Sequence, residues 1–258
     1  MKFFPRIPAE YTEHEGLKSY RIQAKALTAF YREKYGLMQA EIGTPSYYRN
    51  KLIGRYLYKG PVLEWYMRVK LKMERNYTFF HKIIPRDARV LDLGCGYGFL
   101  TLMLGLSSSE RSIVGIDYDE EKIATASMAA WDMKHIRFSA EDITSCNLPE
   151  SDVYILNDVL HYLPEDMQLA LLERCMEALP KDGLLIIRDA DADLKGRTRM
   201  TRFTEFQSTR IFRFNKTQYT LTLLPGTAID EVAEKMKLRY ERVDQARLTS
   251  NITHIITR

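Results

Sequence analysis

The fold of this chain is decided by residues 89–98, whose sequence is Arg89-Val90-Leu91-Asp92-Leu93-Gly94-Cys95-Gly96-Tyr97-Gly98. The apolar residues before the first glycine are typical of a short buried strand, and glycine at every second position afterwards requires a tight turn. Residues 99–104 are mostly apolar and predict the first turns of a buried helix. Free N–H groups at a helix start favour a carboxylate or phosphate, and glycine lets a ligand lie against bare backbone. The stretch therefore predicts a strand, a turn and a helix start that together hold a ligand.

The spacing of the glycines distinguishes between two kinds of ligand. Turns that bind dinucleotides have the pattern G-x-G-x-x-G, so an NAD-dependent oxidoreductase is disfavoured. Here an acid stands two residues before the first of three alternating glycines, which resembles the first motif of the class I S-adenosyl-L-methionine (SAM)-dependent methyltransferases. The resemblance implies that SAM is the cofactor and S-adenosyl-L-homocysteine its product. It also implies that the turn binds SAM through Asp92, Gly94, Cys95, Gly96 and Gly98.

A second apolar strand, residues 112–117, ends in the acid Asp117, nineteen residues after Gly98. A carboxylate at the end of this strand can accept hydrogen bonds from both hydroxyls of a ribose that lies on the glycine turn. The resemblance assigns the ribose of SAM to Asp117, with Tyr118 beside it. The alternative is that Asp117 only caps the following helix, which begins with acidic residues.

The third predicted strand, residues 136–138, is followed by Glu141, Asp142 and Ile143. The resemblance implies that the Asp142 carboxylate and the Ile143 backbone contact the adenine of SAM, with Glu141 next to them. The alternative is that Asp142 forms an Asx turn or a helix cap.

The fourth predicted strand, residues 152–156, is followed by Asn157 and Asp158 and then by His161 and Tyr162. In open α/β sheets the ligand crevice lies outside the carboxyl ends of the strands, so these side chains are expected near the transferred methyl group. His161 is the first candidate for a general base because imidazole titrates near neutrality. Tyr162 and Asp158 are the next candidates, and Asn157 is expected to contact the cofactor. Alternatively, His161 and Tyr162 only line the pocket or start a helix.

From residue 83 onward, strands alternate with helices, which predicts an α/β domain with right-handed crossovers and a mainly parallel sheet. A last helix is expected at residues 228–236, and two final strands at 238–243 and 251–257. The resemblance implies a Rossmann-like sheet of seven strands in the order 3-2-1-4-5-7-6, with the last strand antiparallel and helices on both faces. A basic insertion at about residues 194–217 is expected to cover the pocket.

Residues 1–82 are expected to form a helical extension, with one helix at about 17–35 and another at about 62–81 that has Pro61 in its first turn. We expect this extension to act as a lid over the substrate. Its proposed substrate contacts are Tyr56, Tyr58, Lys59, Trp65 and Tyr66. The alternative is that these aromatic residues form the extension's own core.

Residues 58–66 also resemble the segment ahead of the glycine motif in the C-terminal methyltransferase portion of large bacterial fusion proteins that combine a transporter, an acyltransferase and a methyltransferase. This resemblance implies that the first 50 or so residues are the tail of a neighbouring domain. It also implies a lipid or acyl-linked substrate.

The composition is that of an ordinary globular protein: 258 residues, 45% hydrophobic and 28% charged, with a formal net charge of +4. Lysine and arginine outnumber acids nine to two between residues 49 and 82 and seven to one between 195 and 216. Such surfaces fit an anionic substrate, an acidic carrier or a membrane face, and a solvated face without a partner is the alternative. The net charge is too small to predict a nucleic-acid partner.

The three cysteines and five histidines show no metal-ligand spacing, so no metal is expected and a disulfide framework is disfavoured. No signal peptide is expected from the first residues, and the sequence has no run of about 18 apolar residues. We therefore expect a cytoplasmic protein, with the cytoplasmic face of a membrane as the alternative place. The leading hypothesis is an active SAM-dependent methyltransferase acting on a small-molecule, lipid or acyl-linked acceptor. The alternative is a SAM-binding regulatory or scaffolding domain without turnover.

Overall fold

The computed structural model of the protein describes residues 42–73, 76–194, 221–244 and 251–258. The chain divides into two compact units, Met1–Ile42 and Gly43–Arg258. The helices between Pro45 and Ile83 belong to the second unit together with the sheet. The helix predicted at 17–35 and nearly all of the predicted basic insertion lie outside the described residues.

Seven strands form one sheet in the order β3-β2-β1-β4-β5-β7-β6. Their bounds are β1 Arg89–Leu93, β2 Ser112–Asp117, β3 Ile136–Ala140, β4 Val153–Asn157, β5 Leu184–Ala190, β6 Arg239–Val243 and β7 Asn251–Thr257. The first five strands pair in parallel, while β7 runs antiparallel to both β5 and β6. The predicted fold class, strand order and antiparallel last strand are confirmed.

Seven helices surround this sheet in the described part of the chain. Their bounds are α1 Pro45–Gly54, α2 Pro61–Met73, α3 Asn76–Ile83, α4 Phe99–Ser107, α5 Glu120–Ala129, α6 Glu165–Ala178 and α7 Gly226–Lys235. Two short 3₁₀ turns lie at Leu57–Lys59 and Leu160–Tyr162. The helix predicted at about 62–81 corresponds to α2 and α3, which lie on either side of residues 74 and 75. As expected from its fixed φ, Pro61 begins α2.

Each face of the sheet is covered by its own apolar core because neighbouring side chains of a strand point to opposite faces. On β5, Ile186 belongs to one core, whereas Leu185 and Ile187 belong to the other. The first core also contains buried residues of α1 to α5, and the second contains those of α6 and α7. The N-terminal helices are therefore part of the layer that packs on the sheet.

A buried arginine joins these N-terminal helices to the sheet. Arg111, immediately before β2, is fully buried and donates to the carbonyl oxygens of Ile84 (2.7 Å), Pro85 (2.9 Å) and Leu104 (3.0 Å). Its Nη1 also lies 3.2 Å from Nδ1 of His81 in α3. Burial lowers the pKa of Arg111 to about 10, and burial followed by the Arg111 charge lowers the pKa of His81 to about 4. Arg111 thus satisfies carbonyl groups where α3, α4 and β2 meet.

Among the helices described, none combines the length and the apolar character that crossing a bilayer requires.

Candidate cofactor and acceptor site

The glycine turn after β1 is hydrogen-bonded to the end of β2. The backbone nitrogens of Gly94 and Cys95 both donate to the carbonyl oxygen of Ile116, at 2.8 and 3.0 Å. Gly94, Gly96 and Gly98 have φ angles of 74°, 55° and 70°, in the left-handed region that favours glycine. The alternating glycines are thus required by the backbone conformation of the turn.

The surroundings of Gly94 and Gly96 differ in a way that bears on ligand binding. A side-chain carbon at Gly94 would lie 2.3 Å from Cγ2 of Val159, whereas a carbon at Gly96 would have no other atom within 4 Å. Gly94 therefore allows close packing inside the protein. Gly96 presents bare backbone to open space, as a ligand that lies against the turn requires.

Asp117, at the end of β2, is bonded to this turn. Its side chain accepts from the Gly96 nitrogen through Oδ2 and from the Asp119 nitrogen through Oδ1, both at 2.9 Å, and the residue is 6% exposed. The N-cap of α5 is Asp119, whose Oδ1 accepts from Glu121 and Lys122, so the alternative that Asp117 only caps this helix is wrong. Because a carboxylate oxygen has two lone pairs, the bonds named here do not exhaust its capacity for ribose hydroxyls.

Asp92 precedes the turn at the end of β1, and Cys95 is part of the turn. Asp92 is 2% exposed and accepts from Oγ1 of Thr101 in α4 at 2.5 Å. Burial raises the pKa of Asp92 to about 6, with the Thr101 bond opposing the rise and the Asp117 charge adding to it. Burial, followed by the charges of Asp92 and Asp117, also raises the pKa of the Cys95 thiol well above its usual value. The contacts of Asp92 thus join β1 to α4, and its predicted contact with the cofactor stays a prediction.

The residues predicted near the adenine lie after β3. Oδ1 of Asp142 accepts from the backbone nitrogen (2.8 Å) and Oγ1 (2.7 Å) of Thr144, so the Asx turn that the sequence left open is present. Glu141 accepts from Ser139, and Ile143 is buried. Tyr118, beside Asp117, is 52% exposed. Their contacts with the adenosine of SAM remain predictions.

At the carboxyl end of β4, four side chains surround the Asp158 carboxylate. Arg188 of β5 donates to Oδ1, and the Nδ2 atoms of Asn251 and Asn157 donate to Oδ1 and Oδ2 at 3.2 Å each. Nζ of Lys70 lies 3.7 Å from Oδ2. Asn76 extends the cluster, because its Nδ2 donates to Oδ1 of Asn157 at 2.8 Å. Asp158 itself has a φ of 56°, a conformation that aspartate adopts more readily than most residues.

His161 lies on the other face of the β4–β5 edge. Its Nδ1 is 2.5 Å from Oδ1 of Asp189, and its backbone nitrogen donates to Oδ2 of the same residue at 3.3 Å. The imidazole is buried, at 3% exposure, and its ring centroid lies 4.1 Å from that of Tyr162. The acid beside His161 is therefore Asp189, while Asp158 belongs to the separate cluster.

The five residues predicted to wall the substrate pocket differ in their surroundings. Tyr56 is fully buried and its hydroxyl donates to the Tyr97 carbonyl oxygen at 2.6 Å, so it supports the glycine turn. Tyr58 is 53% exposed and donates to the carbonyl oxygen of Thr125. Trp65 is 51% exposed, Lys59 pairs with Glu121 at 3.4 Å, and the Tyr66 ring lies 6.2 Å from that of Phe99.

Sequence reasoning missed five polar residues at this sheet edge: Lys70, Asn76, Arg188, Asp189 and Asn251. One signal was available for two of them, because Arg188 and Asp189 are charged residues at the end of a predicted buried strand. Within the residues described there is no group of histidine, cysteine, aspartate or glutamate that could hold a metal ion.

Comparison with known proteins identifies the family. A family model described as a methyltransferase domain matches residues 84–246. The chain is 27% identical over 115 residues to a carboxy-S-adenosyl-L-methionine synthase of Campylobacter concisus, a match that covers 44% of this chain and 49% of that protein. It is 34% identical over 99 residues to a malonyl-[acyl-carrier protein] O-methyltransferase of Bacillus cereus, covering 38% of this chain and 36% of that protein. The chain thus spans half or less of the length of these relatives.

The fold is also shared with solved structures. Human N-acetylserotonin methyltransferase in complex with SAM superimposes with a TM-score of 0.56 at 18% identity, over 96% of this chain and 69% of that one. The family match covers more than half of the chain, and this confirms the predicted methyltransferase family. The chain belongs to the methyltransferase-domain family.

Proposed function

We propose that this protein transfers the methyl group of SAM to a small-molecule or acyl-linked acceptor at the carboxyl ends of β4 and β5. One juxtaposition carries the proposal. The glycine turn after β1 is open at Gly96 and is hydrogen-bonded to Asp117. The neighbouring strand β4 is followed by His161, whose imidazole contacts Asp189. The first feature supports cofactor binding and the second supports proton removal from an acceptor.

The glycine turn and Asp117 would hold the ribose of SAM, and Asp142 and Ile143, with Glu141 and Tyr118 beside them, would hold its adenine. When bound, SAM supplies a methyl group that its sulfonium has already activated. The protein therefore contributes mainly by position, since in-line transfer requires the acceptor atom and the methyl carbon to be held about 3 to 3.5 Å apart.

His161 is the proposed general base. An ionised carboxylate can accept hydrogen bonds but cannot donate them. The short contact between Asp189 and Nδ1 of His161 therefore assigns the proton of the neutral imidazole to Nδ1 and the lone pair to Nε2. Nε2 can then take a proton from an acceptor hydroxyl or ammonium as the methyl group transfers. Tyr162 and Asp158 remain the next candidates, although the Asp158 carboxylate already contacts four donors.

The acceptor would lie between this base and the N-terminal helices. The proposed walls of the substrate pocket remain Tyr58, Lys59, Trp65 and Tyr66. Tyr56 could contact the substrate only after breaking its buried hydrogen bond to the Tyr97 carbonyl oxygen. The acyl-carrier substrate named for the Bacillus cereus relative supports an acyl-linked acceptor here. The same proposal includes four further predictions from the sequence. These are the bacterial fusion architecture, a lipid-type substrate, a cytoplasmic location and peripheral contact with a membrane.

Transfer from labelled SAM tests the proposed function. The full chain is incubated with SAM carrying a labelled methyl group and with small organic acids, phenols, acyl-carrier thioesters or lipid extracts, and products are separated by mass spectrometry. We expect a labelled acceptor and one equivalent of S-adenosylhomocysteine, both lost in His161→Gln. Tight SAM binding with no labelled product in any pool would favour the binding domain without turnover. Alteration of SAM itself would favour a reaction of the kind named for the Campylobacter concisus relative.

A further inference from the structure

We propose that the exposed face of α5 is an interface on which a second copy of this chain packs in antiparallel orientation. We call this face the α5 stripe, and its residues are Ala124, Ser127, Met128 and Trp131. The last of them lies two residues past the end of the helix. None of the four belongs to the proposed cofactor or acceptor site, so the inference goes beyond the proposed function and its test needs no turnover.

The α5 stripe is the solvent side of a helix whose other side is buried. Ile123, Ala126 and Ala129 are among the buried residues. The solvent side of a surface helix normally carries charged and polar residues. From residue 122 to residue 131, however, every exposed residue belongs to the α5 stripe, and none of them is charged. This side of the helix therefore differs from an ordinary solvated face.

Two large apolar side chains dominate the α5 stripe. Trp131 is 80% exposed and Met128 is 60% exposed. The backbone nitrogen of Trp131 donates to the carbonyl oxygen of Met128 at 3.4 Å, so the two residues are neighbours one turn apart. Contiguous exposed apolar surface marks an interaction site, and tryptophan and methionine are enriched at the centres of protein interfaces.

The 3₁₀ turn before α2 borders the α5 stripe and enlarges its apolar surface. The Tyr58 hydroxyl donates to the carbonyl oxygen of Thr125 at 2.9 Å. Nη1 of Arg55 donates to the carbonyl oxygen of Ala129 at 2.7 Å, so residues 55–58 run alongside α5. Leu57, the first residue of the turn, is 52% exposed. The exposed apolar surface thus extends beyond a single helix.

The two ends of the α5 stripe carry opposite charges. Glu120 and Glu121 are exposed in the first turn of α5, whereas Lys134 is exposed past the other end. Asp132, close to that end, is already paired with Arg55 at 2.6 Å. The stripe therefore has an acidic end at residues 120–121 and a basic end at residue 134.

This charge pattern favours a second copy of the chain over other partners. Two copies related by a two-fold axis through the stripe run antiparallel, so the acidic end of each faces the basic end of the other. Such complementarity steers the encounter and fixes the orientation. An anionic membrane surface would attract the basic end but repel the acidic end.

One register of the two copies matches both size and charge. With the two-fold axis at the middle of the stripe, Ala124 faces the partner's Trp131, and Glu121 faces the partner's Lys134. The small alanine leaves room for the indole ring. The Glu121 side chain lies 3.4 Å from Lys59 but is 70% exposed, so it can accept a second cation. Each of these contacts occurs twice because the interface is isologous.

Sedimentation equilibrium of the full chain tests the interface. We expect a dimer, and Trp131→Ser should raise its dissociation constant at least about 100-fold, since two indole rings are lost per dimer. Tyr240→Ser changes an exposed aromatic residue on β6 and is the matched control, which should dimerise normally. Thermal unfolding checks that each variant is folded. A wild type that is monomeric at about 100 μM, or a dimer unaffected by Trp131→Ser, overturns the proposal.

A charge exchange tests the antiparallel register. Glu121→Lys and Lys134→Glu should each weaken the dimer about tenfold, because like charges then face each other twice. The double variant restores opposite charges across the interface and should regain most of the wild-type affinity. A double variant weaker than both single variants would overturn the antiparallel arrangement.

Tryptophan fluorescence locates the contact. The sequence has two tryptophans, so Trp65→Phe leaves Trp131 as the only one. Its emission should shift to shorter wavelength as the dimer forms, because the indole ring leaves water. A dimer that forms without this shift contradicts the proposal. If the protein stays monomeric and phosphatidylglycerol vesicles cause the shift, the stripe binds a membrane and the proposal is wrong.

Discussion

The backbone nitrogen of Gly96 donates to Oδ2 of Asp117 across 2.9 Å, so the glycine turn after β1 is bonded to the acid that ends β2. Both residues are predicted from the sequence to bind SAM, and their hydrogen bond means that neither is positioned alone. A change at either residue should therefore affect the shape of the turn as well as its contact with the cofactor.

Replacing Asp117 should weaken cofactor binding. Asp117→Ala removes the predicted ribose acceptor and the partner of the Gly96 nitrogen, so we expect a loss of at least about 1.4 kcal/mol, or tenfold, in S-adenosylhomocysteine affinity by calorimetry. Asp152→Asn, which loosens an exposed pair with Arg89 before β4, is the control and should bind normally. Unchanged affinity in folded Asp117→Ala would remove Asp117 from the site.

Gly94→Ala should mainly lose stability, whereas Gly96→Ala should mainly lose cofactor affinity. Both place an alanine at a positive φ, which costs on the order of 1 to 2 kcal/mol. Only the alanine at Gly94 would also collide with Val159, so this variant should be clearly the less stable of the two in urea unfolding. Gly96→Ala should fold but lose cofactor affinity, because its methyl group occupies the open side of the turn. Equal stability of the two variants would contradict this distinction.

The buried Asp92 should make stability depend on pH. Its pKa is raised by burial from 3.8 to about 6, so the folded protein holds this proton more tightly than the unfolded chain does. The stabilisation of the folded state by protonated Asp92 is therefore complete below pH 3.8 and is lost as the pH rises through 6. This loss lowers the free energy of unfolding by about 3 kcal/mol. Relative to the wild type, Asp92→Asn should gain stability between pH 4 and 7. A difference between the two proteins that does not vary with pH would show that Asp92 ionises normally.

Arg111→Met should destabilise the junction of α3, α4 and β2. Methionine fills much of the same volume but leaves the carbonyl oxygens of Ile84, Pro85 and Leu104 without their donor, which should cost about 2 to 4 kcal/mol in free energy of unfolding. Arg137→Met, at an exposed position on β3, is the matched control and should change stability little. Equal unfolding midpoints for the two variants would show that the Arg111 hydrogen bonds contribute nothing net.

Asp189→Asn should impair transfer through the tautomer of His161. An amide NH₂ facing Nδ1 would move the imidazole proton to Nε2 and remove the proposed basic lone pair, so kcat should fall about 100-fold with SAM affinity intact. Combining it with His161→Gln should add little further loss, since the two residues act as a unit. Asp182→Asn, at the opposite end of β5, is the control. If Asp189→Asn transfers as fast as the wild type, His161 does not act as a base.

Some parts of this protein follow from short contiguous stretches. The turn at 94–98, the acid at Asp117 and the start of α2 at Pro61 are local features, and the structure has each of them. The partner of His161 did not follow in this way. Asp189 is 28 residues away, and only the pairing of β4 with β5 brings the two together.

The sequence by itself determined the α/β class and the glycine turn, because hydrophobic period and glycine conformation act over a few neighbouring residues. The strand order was predicted only through the family resemblance that the turn's motif carries. Only the tertiary structure decided which side chains meet at the end of β4. Lys70, Asn76, Arg188 and Asn251 come from four separate elements and gather around Asn157 and Asp158. Their convergence depends on the packing of α2 and α3 and on the antiparallel return of β7, which no local pattern specifies.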